Sequence, residues 1–344
     1  MLRTAIVSYA SLLLVSISFH AGCGGSDTTS DPDASTSGTD SGADGNGSGT
    51  LRSWSLGSGS TTIRYSEGED EVFSESLGGQ GRGIAYAFGS AWTLVDQKTL
   101  VRYDTATRKR VASIDLGATK GAFIAASGAA VWVGIDDVPT PCSTDTATPR
   151  LKRIDPATNQ VIATINVKSC DRYEGLVANG TAVFGLLSND FKIFSVIEAG
   201  GLLTEKRVAP AGEGAFGTGK LALCGTNLWL RDNTRKTIQR VDVATLNFTA
   251  STSVVEAWND EATCTDSALY YRSSSTLVRL DANDLTKRVS VEEGPERIQV
   301  LNGALYILGE ATGGTLSAIA ELDPATLVRK REFTFSSMDD MVVF

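Results

Sequence analysis

The chain has 344 residues, 31 of them Lys or Arg and 40 Asp or Glu, for a formal net charge of −9, with five Cys and one His. An acidic balance of this size argues against nucleic acid or an anionic lipid surface as the partner. The one histidine is His20, so beyond it the chain cannot run Ser-His-Asp catalysis or build a His-ligated zinc site.

At the start, Arg3 supplies a positive charge, Ala5 to Phe19 is an apolar stretch too short for a comfortable membrane span, and Cys23 follows the small residues Ala21 and Gly22. This resembles a bacterial lipoprotein signal, in which residues 1–22 are removed and Cys23 becomes the acylated first residue. The rival reading, plain secretory cleavage after Gly22, would put His20 where a small residue is wanted. The expectation is a lipid-anchored protein of the bacterial cell envelope. The outer membrane is the default, because Gly24 stands where inner-membrane retention in enteric bacteria uses Asp. The segment 23–50 is Ser, Thr, Asp, Gly and Ala with almost nothing apolar, so it is expected to be a disordered tether averaging roughly 30 Å end to end. Its Asp residues lack the spacing of a calcium-binding EF-hand loop.

Residues 51–344 are built from short β runs. One unit reads Gly83 to Phe88, Ala91 to Val95, Leu100 to Asp104 and Val111 to Leu116, with Gly, Asp, Thr or Lys between the runs. An aromatic residue marks the second run of successive units, at Trp92, Trp132, Phe184, Trp229, Tyr270 and Tyr306. An acid closes the third, at Asp104, Asp155, Glu198, Asp242, Asp281 and Asp323, usually in the form Arg-apolar-Asp. The acids recur every 39 to 51 residues, a period of blade-type repeats. A four-stranded twisted sheet cannot bury both faces alone, so such units stack radially into a β-propeller. Trp54 stands before Arg64-Tyr65-Ser66 as Trp92 stands before Arg102-Tyr103-Asp104, so residues 51–77 read as a blade without its first strand. Met338 to Phe344 supplies that strand. The prediction is an all-β, seven-bladed propeller over residues 51–344, closed by a C-terminal inner strand pairing with the N-terminal strands, with no open edge at the join.

With Ile154-Asp155-Pro156-Ala157-Thr158 and Leu322-Asp323-Pro324-Ala325-Thr326, the pattern resembles the YVTN, NHL and streptogramin-lyase-like group of propellers across nearly all of residues 51–344. The resemblance implies the fold. It does not carry over the His-dependent elimination of streptogramin lyases, because no histidine follows His20. The Asp-Pro-Ala-Thr turns have a structural reason of their own, since Asp opens the turn through its side-chain oxygen and Pro fixes the next φ.

Once Cys23 is lipidated, Cys142, Cys170, Cys224 and Cys264 remain, an even number suited to an oxidising compartment. Cys142 and Cys170 are expected on the same face one blade apart, where they can meet in a disulfide, and Cys224 and Cys264 near the ends of consecutive innermost strands. For the second pair, a bridge and two buried thiols are equal readings. On the face bearing the inter-blade connections, the repeat places a candidate ligand rim: Arg82, Asp136, Asp137, Asp171, Arg172, Tyr173 and Glu174. The rim continues with Trp258, Asn259, Asp260, Glu261, Arg297, Asp339 and Asp340. Trp258 lies outside the second-run position of the other tryptophans, so its ring is a candidate stacking surface. Converging carboxylates there would suit Ca2+ or Mg2+. The preferred reading is a monomeric, non-catalytic envelope lipoprotein that binds a peptide, glycan or protein through this rim. The alternatives are a divalent-metal-dependent lyase or lactonase using carboxylates without histidine, which needs at least three within reach of one point, and a structural assembly module.

Overall fold

A computed structural model describes residues 50–57, 61–117, 120–136, 150–167, 172–180, 182–187, 192–199, 202–208, 219–232, 236–254, 258–293, 295–310, 317–335 and 340–344. Asn46–Phe344 form one compact unit. Cys23 and the segments 1–22 and 23–49 lie outside the described residues, as do Asp137, Cys142, Cys170, Asp171 and Asp339.

Among the described residues every regular element is a strand, and the strands, numbered β1 to β28 in chain order, form seven four-stranded antiparallel sheets. The second blade is the simplest: β4 (Gly81–Ala87), β5 (Ser90–Val95), β6 (Thr99–Asp104) and β7 (Lys109–Asp115), paired in chain order. The next five repeat this order, with inner strands β8 (Gly121–Ala126), β12 (Tyr173–Asn179), β16 (Gly219–Cys224), β20 (Trp258–Cys264) and β24 (Arg297–Leu301). The first blade joins both ends of the chain. Its order is β28 (Asp340–Val343), β1 (Arg52–Leu56), β2 (Thr62–Glu67), β3 (Asp70–Ser76), with Trp54 opposite Val342 and Ser53 opposite Val343. The seven-bladed ring closed by a C-terminal inner strand is therefore as the sequence predicts.

Burial explains the apolar pattern. The second strand of a blade is covered on both faces by its neighbours, so β5 reads Ser-Ala-Trp-Thr-Leu-Val and every position is buried. The outermost strand β7 alternates and is largely exposed. Seven core clusters fill the seven interfaces between adjacent blades. Trp92 packs with Val131 and Val133 of the next blade, Trp132 with Tyr173 and Val183, Trp229 with Leu269, and Tyr306 with Met341 and Val343 across the join.

The Arg-apolar-Asp signature has a mechanical meaning that spacing alone did not show. Its Asp caps the turn that follows: Asp104 Oδ1 accepts from Thr107 N–H at 2.7 Å, and Asp323 Oδ1 from Thr326 N–H at 2.9 Å. The Thr326 N–H, joined by the Lys330 ammonium and the Thr326 hydroxyl, holds the Asp323 carboxyl at about 2. The Arg instead reaches the next blade. The Arg102 guanidinium lies 5.0 Å over the Trp92 ring and donates to the Pro156 carbonyl oxygen at 2.6 Å, and Arg240 donates to the Ala282 carbonyl at 2.7 Å. In these two blades a charge-assisted bond pins the sheet to its neighbour's Asp-capped turn, and in the second blade the cation–π contact with Trp92 of the same sheet holds the Arg102 guanidinium in place.

The outer strands carry a repeated β-bulge that leaves Val72, Val111, Ile162, Thr249 and Lys330 unpaired. Bulges bend an open strand edge away from the flat template that other chains pair with. A disulfide joins Cys224, at the end of β16, to Cys264, at the end of β20, with Cα atoms 5.7 Å apart, and ties two consecutive blades near the axis. Closing a loop of 40 residues contributes about 4 kcal/mol in the loop-entropy treatment.

Candidate functional site: the axial cavity

The seven inner strands run parallel around the axis and enclose a cavity of about 850 Å³, lined by residues near the start of six of them and by Ala262 further along β20. That volume lies within the range of roughly 300–1,000 Å³ usual for small-molecule sites. Of the rim residues predicted from sequence, Arg82, Glu174, Arg297 and Asp340 line it together. They belong to the first residues of β4, β12, β24 and β28 rather than to connecting loops. Lys220, Phe123 and Gln299, which the sequence reading passed over, line it too. Their signal was available: each sits near the start of an inner strand, the place Arg82 and Glu174 occupy in theirs.

Several inner strands are irregular at this end. In β4, Arg82 pairs with Leu94 and Ile84 with Thr93, leaving Gly83 unpaired at φ +62°, a backbone that β-carbon-bearing residues adopt at a cost. Thr93 Oγ1 donates to the Gly83 carbonyl at 2.9 Å and fixes the bulge. The same slip leaves Ala122 unpaired in β8 and Glu174 in β12. Bulges next to a cavity re-aim side chains, and here they do so on three successive blades.

The closing strand is held from within the cavity. Arg297 Nε donates to Asp340 Oδ1 at 2.6 Å, and the Met341 N–H donates to the same oxygen at 2.9 Å. Burial pushes the Asp340 carboxyl up, while Arg297 and the backbone N–H groups of Met341 and Ile84 draw it down. Gln299 spans β24 and β28 as a second rung: its Nε2 donates to the Val343 carbonyl at 2.7 Å and its Oε1 accepts from Val343 N–H at 2.8 Å. Across the channel, Lys220 Nζ stands 5.7 Å from the centre of the Phe123 ring.

Asp136, predicted for the rim, does not line the cavity; its Oδ1 accepts from the Tyr173 N–H at 2.8 Å and couples the third and fourth blades. Burial pushes its carboxyl up to about 6, against that N–H and the charges of Lys120 and Arg172, with Glu174 adding to the rise. A carboxyl that holds its proton more tightly when folded contributes stability below pH 4 and loses it as pH rises through about 6, a change of about 3 kcal/mol. Asp136→Asn keeps an acceptor oxygen for Tyr173 and removes the charge. Urea unfolding should show D136N more stable than the wild type by up to about 3 kcal/mol at pH 7, with the gap closed at pH 4. A gap that does not change with pH would refute the burial penalty.

Trp258, Asn259, Asp260 and Glu261 lie in β20 rather than in a connection, with Trp258 opposite Ser273 and the ladder resuming at Ala262 opposite Tyr271. Their side chains, including the predicted stacking ring of Trp258, lie outside the described residues. Among the described residues no three His, Cys, Asp or Glu side chains gather where they could hold a metal ion, and the cavity carboxylates are Glu174 and Asp340 alone.

No protein-family model matches the chain, and a search of curated proteins finds no match. Solved structures do match. The dihydro-heme d1 dehydrogenase NirN, in complex with DHE, superposes with a TM-score of 0.58 at 10% identity, over 85% of this chain and 74% of that one. Apo AztD from Citrobacter koseri gives 0.54 at 13% identity, over 85% and 89%. The computationally designed Ika8 protein gives 0.56 at 13%, over 73% and 76%. The likeness is one of fold. An enzyme and a designed protein stand among these neighbours, so the shared architecture does not choose between catalysis and binding.

Proposed function

We propose that this chain is a lipid-anchored binding module of the bacterial cell envelope, tethered through Cys23, whose propeller takes a small polar ligand, or the exposed end of a peptide or glycan, into its axial cavity. The observation that carries this reading is the set of bulged inner strands, which bring Arg82 and Glu174, with Arg297 and Asp340, to one cavity of about 850 Å³. A scaffold needing only rigidity has no use for irregular inner strands and charged groups at its axis. The donor set favours recognition over metal-assisted chemistry, because among the described residues Asp340 is engaged by Arg297 and Glu174 is the one other carboxylate lining the cavity.

The test is native mass spectrometry of the full-length chain recovered from its own membrane without chelator. The expected result is a lipid-modified Cys23 and a retained organic adduct, the latter lost on Phe123→Ala, which removes the aromatic wall opposite Lys220. A clean protein mass would overturn the cavity-binding reading in favour of a structural module.

A further inference from the structure

Resting on that reading, we infer that the axial cavity holds a subsite for an oxyanion, the carboxylate or phosphate of the ligand, centred on Arg82. The three cations among the described residues that line the cavity stand in different circumstances. Arg297 is bound to Asp340 at 2.6 Å, and Lys220 lies over the Phe123 ring at 5.7 Å. Arg82 forms no ion pair with a carboxylate among the described residues. Its partner is neutral: with the Gln97 amide oxygen turned toward it, Arg82 Nη1 and Nε donate at 3.0 and 3.1 Å.

This arrangement orients a guanidinium without neutralising it. Gln97 occupies the Nε and Nη1 hydrogens, while the Gly83 bulge and the Thr93 bond fix the strand that presents the side chain. The Nη2 donors are left for a ligand. Each Nη2 hydrogen can make a charge-assisted bond to a carboxylate or phosphate oxygen, roughly twice as strong as a neutral hydrogen bond. A glutamate at position 97 would have made an internal salt bridge, whereas the amide keeps the positive charge for the incoming anion.

The experiment titrates the full-length chain with sodium acetate and, separately, with inorganic phosphate at constant ionic strength, following the Nε–Hε resonance of Arg82, assigned by its loss in Arg82→Lys. A saturable shift with a midpoint on the order of 10 mM is expected, the scale of a single charge-assisted contact. The resonance of exposed Arg52 should drift without saturating. Saturation by phosphate alone assigns the subsite to phosphate, by acetate alone to carboxylate, and by both to oxyanions in general. In Gln97→Glu, which supplies an internal carboxylate, the midpoint should rise roughly tenfold. An Arg82 resonance that tracks Arg52 in both titrations, or a midpoint unmoved by Gln97→Glu, overturns the inference. A retained adduct with an unresponsive Arg82 sinks the anion subsite alone. A responsive Arg82 with no retained adduct sinks the cavity-binding reading alone.

Discussion

A chain ending at residue 339 should lose cooperative folding. The five residues removed are β28 and Phe344, which supply the inner strand of the first blade. Met341, Val342 and Val343 are all buried, and fully burying side chains of this kind is worth about 1.5–3 kcal/mol each, or roughly 5–9 kcal/mol together. The loss extends beyond burial. Arg297 would face the cavity without Asp340, Gln299 would lose both bonds to Val343, and β1 would present an unpaired edge. The packing of Tyr306 and Leu308 against Met341 and Val343 would open at the same time. Whole-domain stabilities are commonly about 5–15 kcal/mol, so the deletion removes an amount comparable with the total. Thermal unfolding followed by circular dichroism checks this. The expected result is a broad or absent transition and rapid proteolysis, whereas a sharp transition within a few degrees of the wild type would mean that the ring does not depend on its C-terminal strand.

Trp92→Ala should cost about 3–5 kcal/mol. The indole is completely buried, packs with Val131 and Val133 of the following blade, and donates from Nε1 to the Ala87 carbonyl at 3.1 Å. Truncation leaves a cavity between two sheets whose backbones are each tied into a closed ring, so neither can move far to fill it. Arg102 would also lose the ring 5.0 Å beneath it while keeping its bond to Pro156. Arg102→Ala, which removes the inter-blade bond and leaves the indole, should cost less, about 1–3 kcal/mol. Urea denaturation midpoints of the two variants test the order. Equal losses, or a loss under about 1 kcal/mol for Trp92→Ala, would show that the repeat aromatics do not hold the blades together.

The repeat made most of the architecture legible in advance. Trp92, Trp132 and Trp229 recur because every blade interface needs one large side chain, and the acids recur because every outer turn needs a cap. The strand beginning near Gly81 was read too short because Gly83 looks like turn punctuation in a sequence, yet in the sheet it is a bulge inside β4. Trp258 was read only as a rim residue outside the second-run position, because the polar run Asn259-Asp260-Glu261 interrupts the alternation that marks a strand, yet the ladder closes around it within β20. Cys224 and Cys264 were left open between a bridge and two thiols, since equivalent strand ends bring cysteines close without fixing how far apart their Cα atoms stand. The structure bridges them.

The sequence by itself determined the number of blades, the order of strands within each and the way the ring closes. All three follow from a local rule, that a short twisted sheet must bury both faces against copies of itself, repeated until the ends meet. Only the tertiary structure decided what faces the axis. Arg82, Glu174, Lys220, Arg297 and Asp340 are scattered over more than two-thirds of the chain and become neighbours because parallel inner strands place corresponding positions on one ring. Which of them remains charged and available depends on partners in other strands and turns, Asp340 for Arg297 and Gln97 for Arg82, and no local pattern records those pairings.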